Sequence, residues 1–430
     1  GHDHHDHDHG HGPKHYHDEE MQSLSLRSDQ PLDQDKFMPW LQELLAAEGQ
    51  KILRSKGVMA FSGDDDRYVF QGVQMMLEGS PDPRRLPELH RRVMKDNAPK
   101  QHAMASIGER VRPVTIGSPV AALYFIGDRA AFVGDAETIT LVSGDGEKAA
   151  LTVHGGAILS SVSDGKRIVT GGDDGKVVAL DMKGGSSVLV TDAKRRWIDN
   201  IAVHPDGTLA WSAGKTAYVR GIKGEEKSID APSSVGGLAF APKGMRLALA
   251  HYNGVSLWFP NMTAAPERLE WAGSHLGVTF SPDGRFLITS KHEPALHGWR
   301  LADVQHMQMT GYPSRVKSLS WGMGGKLLAT SGADRVVVWP FASKDGPMDK
   351  EPTMLAPLQA RVTAVACHPT QDFLAAGYEN GTILMVRLTN GAKVVVRREG
   401  EASVAALAWN AKGSMLAFAL QNGEAGLVDL

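Results

Sequence analysis

The chain has 430 residues, with 46 Lys plus Arg against 49 Asp plus Glu, a formal net charge of −3. That balance excludes nucleic-acid or membrane binding driven by bulk charge, and a single Cys excludes an intrachain disulfide framework or a Cys-rich zinc module. No run of 18 uncharged apolar residues reads as a membrane span, and no apolar stretch follows the charged head to make a signal peptide, so the expected compartment is the cytoplasm.

The head is compositionally skewed: eight of the 18 histidines lie in the first 17 residues. His2, His4, His5, His7, His9, His11, His15 and His17 alternate with Asp3, Asp6 and Asp8. Neutral imidazole is the commonest protein metal ligand. Alternating His and Asp offers many ligand subsets without one fixed geometry. Residues 1–20 are therefore expected to be a disordered tail that holds labile zinc, with cobalt or nickel as alternatives. Six carboxylates against Lys14 give this tail a net charge of −5.

Residues 21–79 read as a small α+β piece. The stretch 21–29 alternates as a half-buried strand does. Asp33 caps a helical run in which Phe37, Trp40, Leu41, Leu44 and Leu45 share one face, and Gly49 stops it. Residues 56–62 and 67–77 predict two strands around the acidic turn Gly63-Asp64-Asp65-Asp66.

The strings SLRSDQPLDQDKFMPWLQELL and ILRSKGVMAFSGDDDRYVFQGVQMML, following a His/Asp tract, resemble the C-terminal domain of the CobW-type metallochaperone GTPases over residues 1–79. The resemblance implies zinc or cobalt delivery. The GTPase part of that family has no counterpart here. The nearest approach to a phosphate-cradling loop, Gly214-Lys215-Thr216, has Leu209 where the first glycine must stand, so no nucleotide cofactor is expected. The family continues into a further closing strand, whereas here residues 80–104 turn Pro- and Arg-rich.

Residues 80–109 read as a linker. Pro81, Pro83, Pro87 and Pro99 forbid one long helix. Met104-Ala105-Ser106 resembles a protein start, so the expectation is that two reading units are joined here.

From residue 110 to 430 one pattern recurs: an apolar strand, a Pro/Gly turn, and a second apolar strand. The first strands are 120–125, 158–162, 199–203, 236–240, 276–280, 316–321, 362–367 and 404–409, with ends 37 to 46 residues apart. Units of about 40 residues with four short strands are similar to WD-repeat β-propellers. The predicted fold class is mostly β, a propeller of eight blades with seven as the alternative, after the small α+β domain. The last unit has only three strands, and residues 109–117 are expected to supply its fourth and remove the open edge. The Trp-Asp and Gly-His signatures are degenerate, so apolar packing is expected to replace most side-chain hydrogen-bond networks.

Catalytic candidates are weak. His292-Glu293-Pro294-Ala295-Leu296-His297 misses the metalloprotease spacing by one and contains a proline, so these read as turn residues. Cys367 falls in a predicted core strand. The sharper candidate is a face formed by the loops that precede the first strands: Lys194, Arg195, Arg196, Trp197, His275, Tyr312, Arg315 and Arg361. Arg with Trp and Tyr is hot-spot composition for a protein partner. The leading expectation is a non-enzymatic interaction scaffold tied to metal handling, whose partners would include a separate GTPase or a metal-receiving protein. The alternatives are a plain scaffold with a vestigial CobW-like segment, or a propeller hydrolase.

Overall fold

The computed structural model describes residues 32–33, 36–37, 39–40, 54–60, 67–73, 76–81 and 104–430. The His/Asp tail, the strand expected over 21–29 and most of the linker lie outside the described residues. The chain divides into two units, Gly1–His102 and Ala103–Leu430.

In the first unit, Lys36, Phe37, Pro39 and Trp40 are helical. The Phe37 amide donates to the Asp33 carbonyl at 2.8 Å, and the Phe37 and Trp40 rings lie 5.5 Å apart. Strand Arg54–Ala60 pairs antiparallel with Arg67–Val73, with Gly57 opposite Phe70. The expected second strand does not run on to residue 77. The chain reverses after Val73, and Met76–Pro81 forms a third strand against it. A local apolar run cannot say where it folds back on itself, because both arms of a hairpin alternate alike.

The second unit is a ring of seven hydrogen-bonded sheets. All eight predicted first strands are found: Val120–Ile126, Ile158–Ser163, Asn200–Val203, Gly237–Phe240, the second half of Glu267–Phe280, Leu319–Gly322, Val362–Cys367 and Val404–Trp409. Six sheets have four strands each. The expectation of eight separate blades is corrected to seven sheets, because the fourth and fifth repeats share one six-stranded sheet. The reason is local. Glu267–Phe280 is unbroken, so its first half pairs with residues 254–257 and its second half with 287–291. The preceding strand Leu247–Trp258 doubles back at Asn253 and Gly254, both at positive φ. The His251 and Ser256 side chains accordingly meet at 2.9 Å, which five residues of extended chain would forbid.

Close approach of neighbouring repeats needs glycine. A Cβ on Gly236 would sit 2.4 Å from the His275 carbonyl oxygen, and one on Gly237 2.7 Å from that of Leu276. Between the sheets lie apolar layers such as Phe132, Phe286, Trp299 and Phe341, each fully buried. Each contributes about 1.5–3 kcal/mol of transfer free energy.

The ring closes as the sequence implies. Val111–Thr115 pairs antiparallel with Glu424–Asp429, Val114 opposite Ala425. The preceding residues add a second stitch: Ser106 bridges Val395 in parallel, and Ala105 accepts a hydrogen bond from the Val395 amide at 2.9 Å. Chain expected to be linker thus covers the outer edge of one sheet before becoming the outer strand of the next.

Side-chain networks are more extensive than the degenerate signatures suggest. His154 joins Asp174 at 3.0 Å and Thr170 at 2.8 Å. In the sixth repeat, Trp339 Nε1 donates to the Tyr312 hydroxyl, which lies 2.7 Å from Thr330 Oγ1. Among the described residues, no helix is long and apolar enough to cross a membrane.

Candidate partner-binding face

In a four-stranded antiparallel sheet, the connection between second and third strands and the connection to the next sheet leave from the same end. The predicted face is that end of the ring. Its best-built element is the loop 192–198 between the second and third repeats.

Asp192 organises this loop. Its Oδ1 accepts the Lys194 amide at 2.8 Å and the Arg196 amide at 3.1 Å, while its carbonyl accepts from the Arg195 amide. Arg195 is thereby held at φ 53°, in the left-handed region that a bulky residue rarely occupies. The loop lies directly on Gly175, where a Cβ would be 2.9 Å from the Arg195 Cα. Ile198, fully buried, pins its far end.

Arg196 turns inward rather than out. Its guanidinium holds the Asp192 carboxylate at 2.5 Å, donates to the Tyr218 hydroxyl at 2.8 Å, and lies over the Tyr218 ring. That ring stacks on Trp211 at 5.3 Å, and the Arg220 guanidinium lies over the Trp211 ring at 5.5 Å. The Arg196 guanidinium keeps the Asp192 carboxyl below the ordinary carboxylate range. Lys194 and Arg195 are exposed and show no ion pair among the described residues. Trp197 is 63% exposed between Arg196 and the buried Ile198.

The remaining predicted residues divide. Arg315 is exposed on its own connection. Arg361 is exposed but engaged: its guanidinium meets Glu379 at 2.9 Å, and Glu379 also accepts its backbone amide. His275 and Tyr312 do not belong to the face. His275 lies within a strand, 1% exposed, with its ring nitrogens 2.7 Å from Thr289 Oγ1 and 2.9 Å from the Trp271 carbonyl. Tyr312 is 6% exposed, and burial pushes its hydroxyl up to about 12. Both sit where loop residues were expected, but Tyr312 packs between residues of the fifth and sixth repeats, and His275 is enclosed by Trp271, Thr289, His297 and Trp299 of its own sheet. The sequence missed Tyr252, 60% exposed beside the Asn253-Gly254 turn at this same end. The Asn-Gly pair marks that turn, and an aromatic just before it was the available signal.

His297 is also not a turn residue. It lies in strand Leu296–Arg300, buried, and stacks on Trp271 at 4.1 Å. Neither of its ring nitrogens has a hydrogen-bond partner. No group of three or more His, Cys, Asp or Glu among the described residues could hold a metal ion. The eight candidate ligands His2 to His17 lie outside the described residues. Cys367 is partly buried, and the loss of water around its thiol pushes it up to about 11 and leaves it a poor nucleophile.

The chain is similar to known proteins over two stretches. Residues 21–128 match the cobalamin synthesis protein CobW C-terminal domain, a match that starts after the His/Asp tail and runs into strand Val120–Ile126. Residues 365–430 match the WD40 domain of anaphase-promoting complex subunit 4. The chain is 23% identical over 243 residues, half its length, to Protein HIR1 of Yarrowia lipolytica. It is 27% identical over 192 residues, 40% of its length, to WD repeat-containing protein 1-B of Xenopus laevis. It spans only 21% and 31% of these relatives' own lengths. The computationally designed Ika8 protein superimposes with a TM-score of 0.60 at 18% identity, covering 74% of this chain and 98% of that one. The chain therefore joins a CobW C-terminal-type segment to a WD40-type propeller.

Proposed function

We propose that this protein is a non-enzymatic protein-interaction scaffold whose propeller docks a protein partner while its His/Asp tail holds zinc for delivery. The observation that carries the docking reading is the pre-built 192–198 loop. Its backbone is fixed by Asp192, and it offers an exposed Trp197 that follows the exposed cations Lys194 and Arg195, which show no ion pair among the described residues. A rigid aromatic anchor beside free cations gives affinity with little ordering entropy lost on binding. Lys194, Arg195, Trp197, Arg315 and Tyr252 are the residues assigned to this contact.

The metal part rests on composition and on the CobW-type segment that follows the tail. His2, His4, His5, His7, His9, His11, His15 and His17 would be the ligands, for zinc first and for cobalt or nickel in its absence. The partner would be a separate GTPase or a metal-receiving protein, met in the cytoplasm, with neither nucleic acid nor membrane as target.

The test is affinity purification of the full chain from its source extract, with and without zinc. The Lys194→Ala/Arg195→Ala/Trp197→Ala variant should lose the partner that the parent retains. Retention of every partner by the variant would remove the docking reading. Calorimetric titration with zinc should show submicromolar binding that disappears when the eight tail histidines become Ala. Absence of such binding would leave the plain scaffold, with the CobW-type segment a vestige.

A further inference from the structure

We propose that the outer edge of the fifth repeat, strand Gln305–Met309, is a second docking site, which takes an extended segment of a protein partner as an added β-strand. A strand at the outside of a sheet presents unpaired N–H and C=O groups, and proteins protect such edges with charge, proline, bulges, shortness or a covering segment. The other outer strands of the ring each carry such a protection. Lys148–Thr152 begins with a lysine whose Nζ reaches the Thr115 carbonyl at 3.0 Å. Ser186–Thr191 is broken by a register shift, and its Leu189 carbonyl is taken by Arg220. Glu226–Asp230 carries Glu226, Lys227 and Asp230, and the outer half of Glu267–Phe280 carries Glu267, Arg268 and Glu270. Thr353–Leu355 is three residues long. Lys393–Arg397 is covered at Val395 by Ser106, and Val111–Thr115 contains Pro113.

Gln305–Met309 has none of these devices. It holds no Asp, Glu, Lys, Arg or Pro, and its register against Leu296–Arg300 is unbroken. Five residues offer about 17 Å of edge. Alternate residues turn both backbone groups away from the paired strand. Among the described residues, no hydrogen bond from outside the sheet meets the backbone of His306 to Met309, while the Gln305 amide donates to Asp303 Oδ1 at 3.4 Å. A groove of about 550 Å³ runs beside this strand, with residues 347–351 of the sixth repeat as its other wall. Met307, Trp339 and Met348 line it with apolar surface. The 347–351 segment makes its own turn, the Lys350 amide donating to the Pro347 carbonyl at 3.1 Å, and pairs with no residue of the strand. The edge is therefore open to a further strand.

Backbone geometry selects the occupant. The seventh repeat already holds one of the same kind. There the Val395 amide donates to the Ala105 carbonyl at 2.9 Å, and the Ile107 amide donates to the Val395 carbonyl at 2.9 Å. An extended segment held on an outer edge by its backbone is thus an interaction that this ring uses on itself. A helix cannot answer unpaired strand groups, because its own N–H and C=O groups are spent internally, whereas an extended peptide can. Every second side chain of the added strand would face the apolar side of the groove, so apolar residues are expected at alternate positions. The charged side chains lining the groove are Asp349, Lys350 and Glu351. Lys350 Nζ is turned into its own segment, onto Ser343 Oγ and the Gly346 carbonyl. Asp349 and Glu351 are exposed and show no ion pair among the described residues. A basic flank on the peptide is therefore favoured over an acidic one. The site is separate from the Trp197 loop and does not depend on it.

The test uses the full chain and fluorescence anisotropy with a nine-residue synthetic peptide, Val and Thr alternating between terminal lysines. Two further forms carry N-methyl groups on one or the other alternate set of amides, a third ends in glutamates, and an amphipathic helical peptide is the control. The parent peptide should bind, and N-methylation of the set that faces the edge should weaken it at least tenfold while the other set is tolerated. The glutamate form should bind at least threefold more weakly, and Asp349→Asn/Glu351→Gln should erase that difference. Gln305→Lys/Gln308→Lys places charge on the edge and should weaken binding at least tenfold with an unchanged thermal midpoint, since both side chains are exposed. Bound peptide should slow hydrogen exchange in residues 305–309. Lys194→Ala/Arg195→Ala/Trp197→Ala should leave the affinity unaltered. No binding, indifference to both N-methylated sets, equal affinity for the helical peptide, or binding without slowed exchange at 305–309 would overturn the proposal.

Discussion

His297 sets up a sharp pH experiment. Its ring is 1% exposed, stacked on Trp271 at 4.1 Å with the His306 ring 5.6 Å away, and neither nitrogen is hydrogen-bonded. Burial, with the nearby charges of His275, His306 and Lys291, lowers it to about 3. In the unfolded chain the same imidazole titrates near 6.5. The folded value is the depressed one, so below about pH 6.5 the unfolded chain binds a proton that the native chain refuses. Stability is then full above that pH and falls as the pH drops toward 3. One such group costs about 1.36 kcal/mol per pH unit, or about 2 kcal/mol between pH 6.5 and pH 5. His275 and His251, both depressed chiefly by burial, act in the same direction on the same sheet. Glu293, which favours the charged form of His275, opposes them. His297→Phe keeps the stack on Trp271 and removes an unsatisfied buried polar ring. It should therefore be at least as stable as the parent at pH 7.5 and lose about one proton's worth of slope between pH 6.5 and 5. Urea unfolding followed by tryptophan fluorescence across that range reads both quantities. Equal slopes for parent and variant, or a loss of 2 kcal/mol by the variant at pH 7.5, would refute the reasoning.

Two further outcomes follow from the same structure. Tyr312→Phe removes the hydroxyl that receives Trp339 Nε1–H and meets Thr330, leaving buried polar atoms unpaired. Denaturant unfolding should show a loss of about 1–3 kcal/mol, and an unaltered midpoint would mean that the network contributes nothing. A chain beginning at Met104 should unfold cooperatively like the parent, whereas one beginning at Ser118 lacks both the Ser106 stitch and the closing strand Val111–Thr115. The shorter chain should unfold at a lower temperature by calorimetry and self-associate by light scattering, through the bared edge of Glu424–Asp429. Identical behaviour of the two would show that closure is not by this strand.

The parts of the molecule that were legible in the sequence are those set by near neighbours. Turn chemistry such as Ser281-Pro282-Asp283-Gly284 and the period of the first strands placed every inner strand, because those signals depend on a few consecutive residues. A three-stranded final repeat also implied a borrowed fourth strand, since an open edge is costly. The candidate face was half legible. Lys194, Arg195 and Trp197 are presented as their loop position implies, but Arg196 in the same run turns inward because Asp192 and Tyr218 receive it.

The sequence by itself determined that this is a repeat protein with a metal-ligand-rich acidic tail, a small CobW-like segment and a ring closed by its own first strand. Tertiary structure alone decided which loop side chains are interior, that two repeats merge into one sheet, and that His297 is a buried, unsatisfied imidazole. His275, Tyr312 and His297 occupy positions whose local context reads as loop or turn. Their burial comes from side chains on other strands, Thr289 against His275, Trp271 against His297 and Trp339 against Tyr312. Turn formation is a short-range property of the backbone. The side on which a side chain loses its water is a property of the neighbouring sheet.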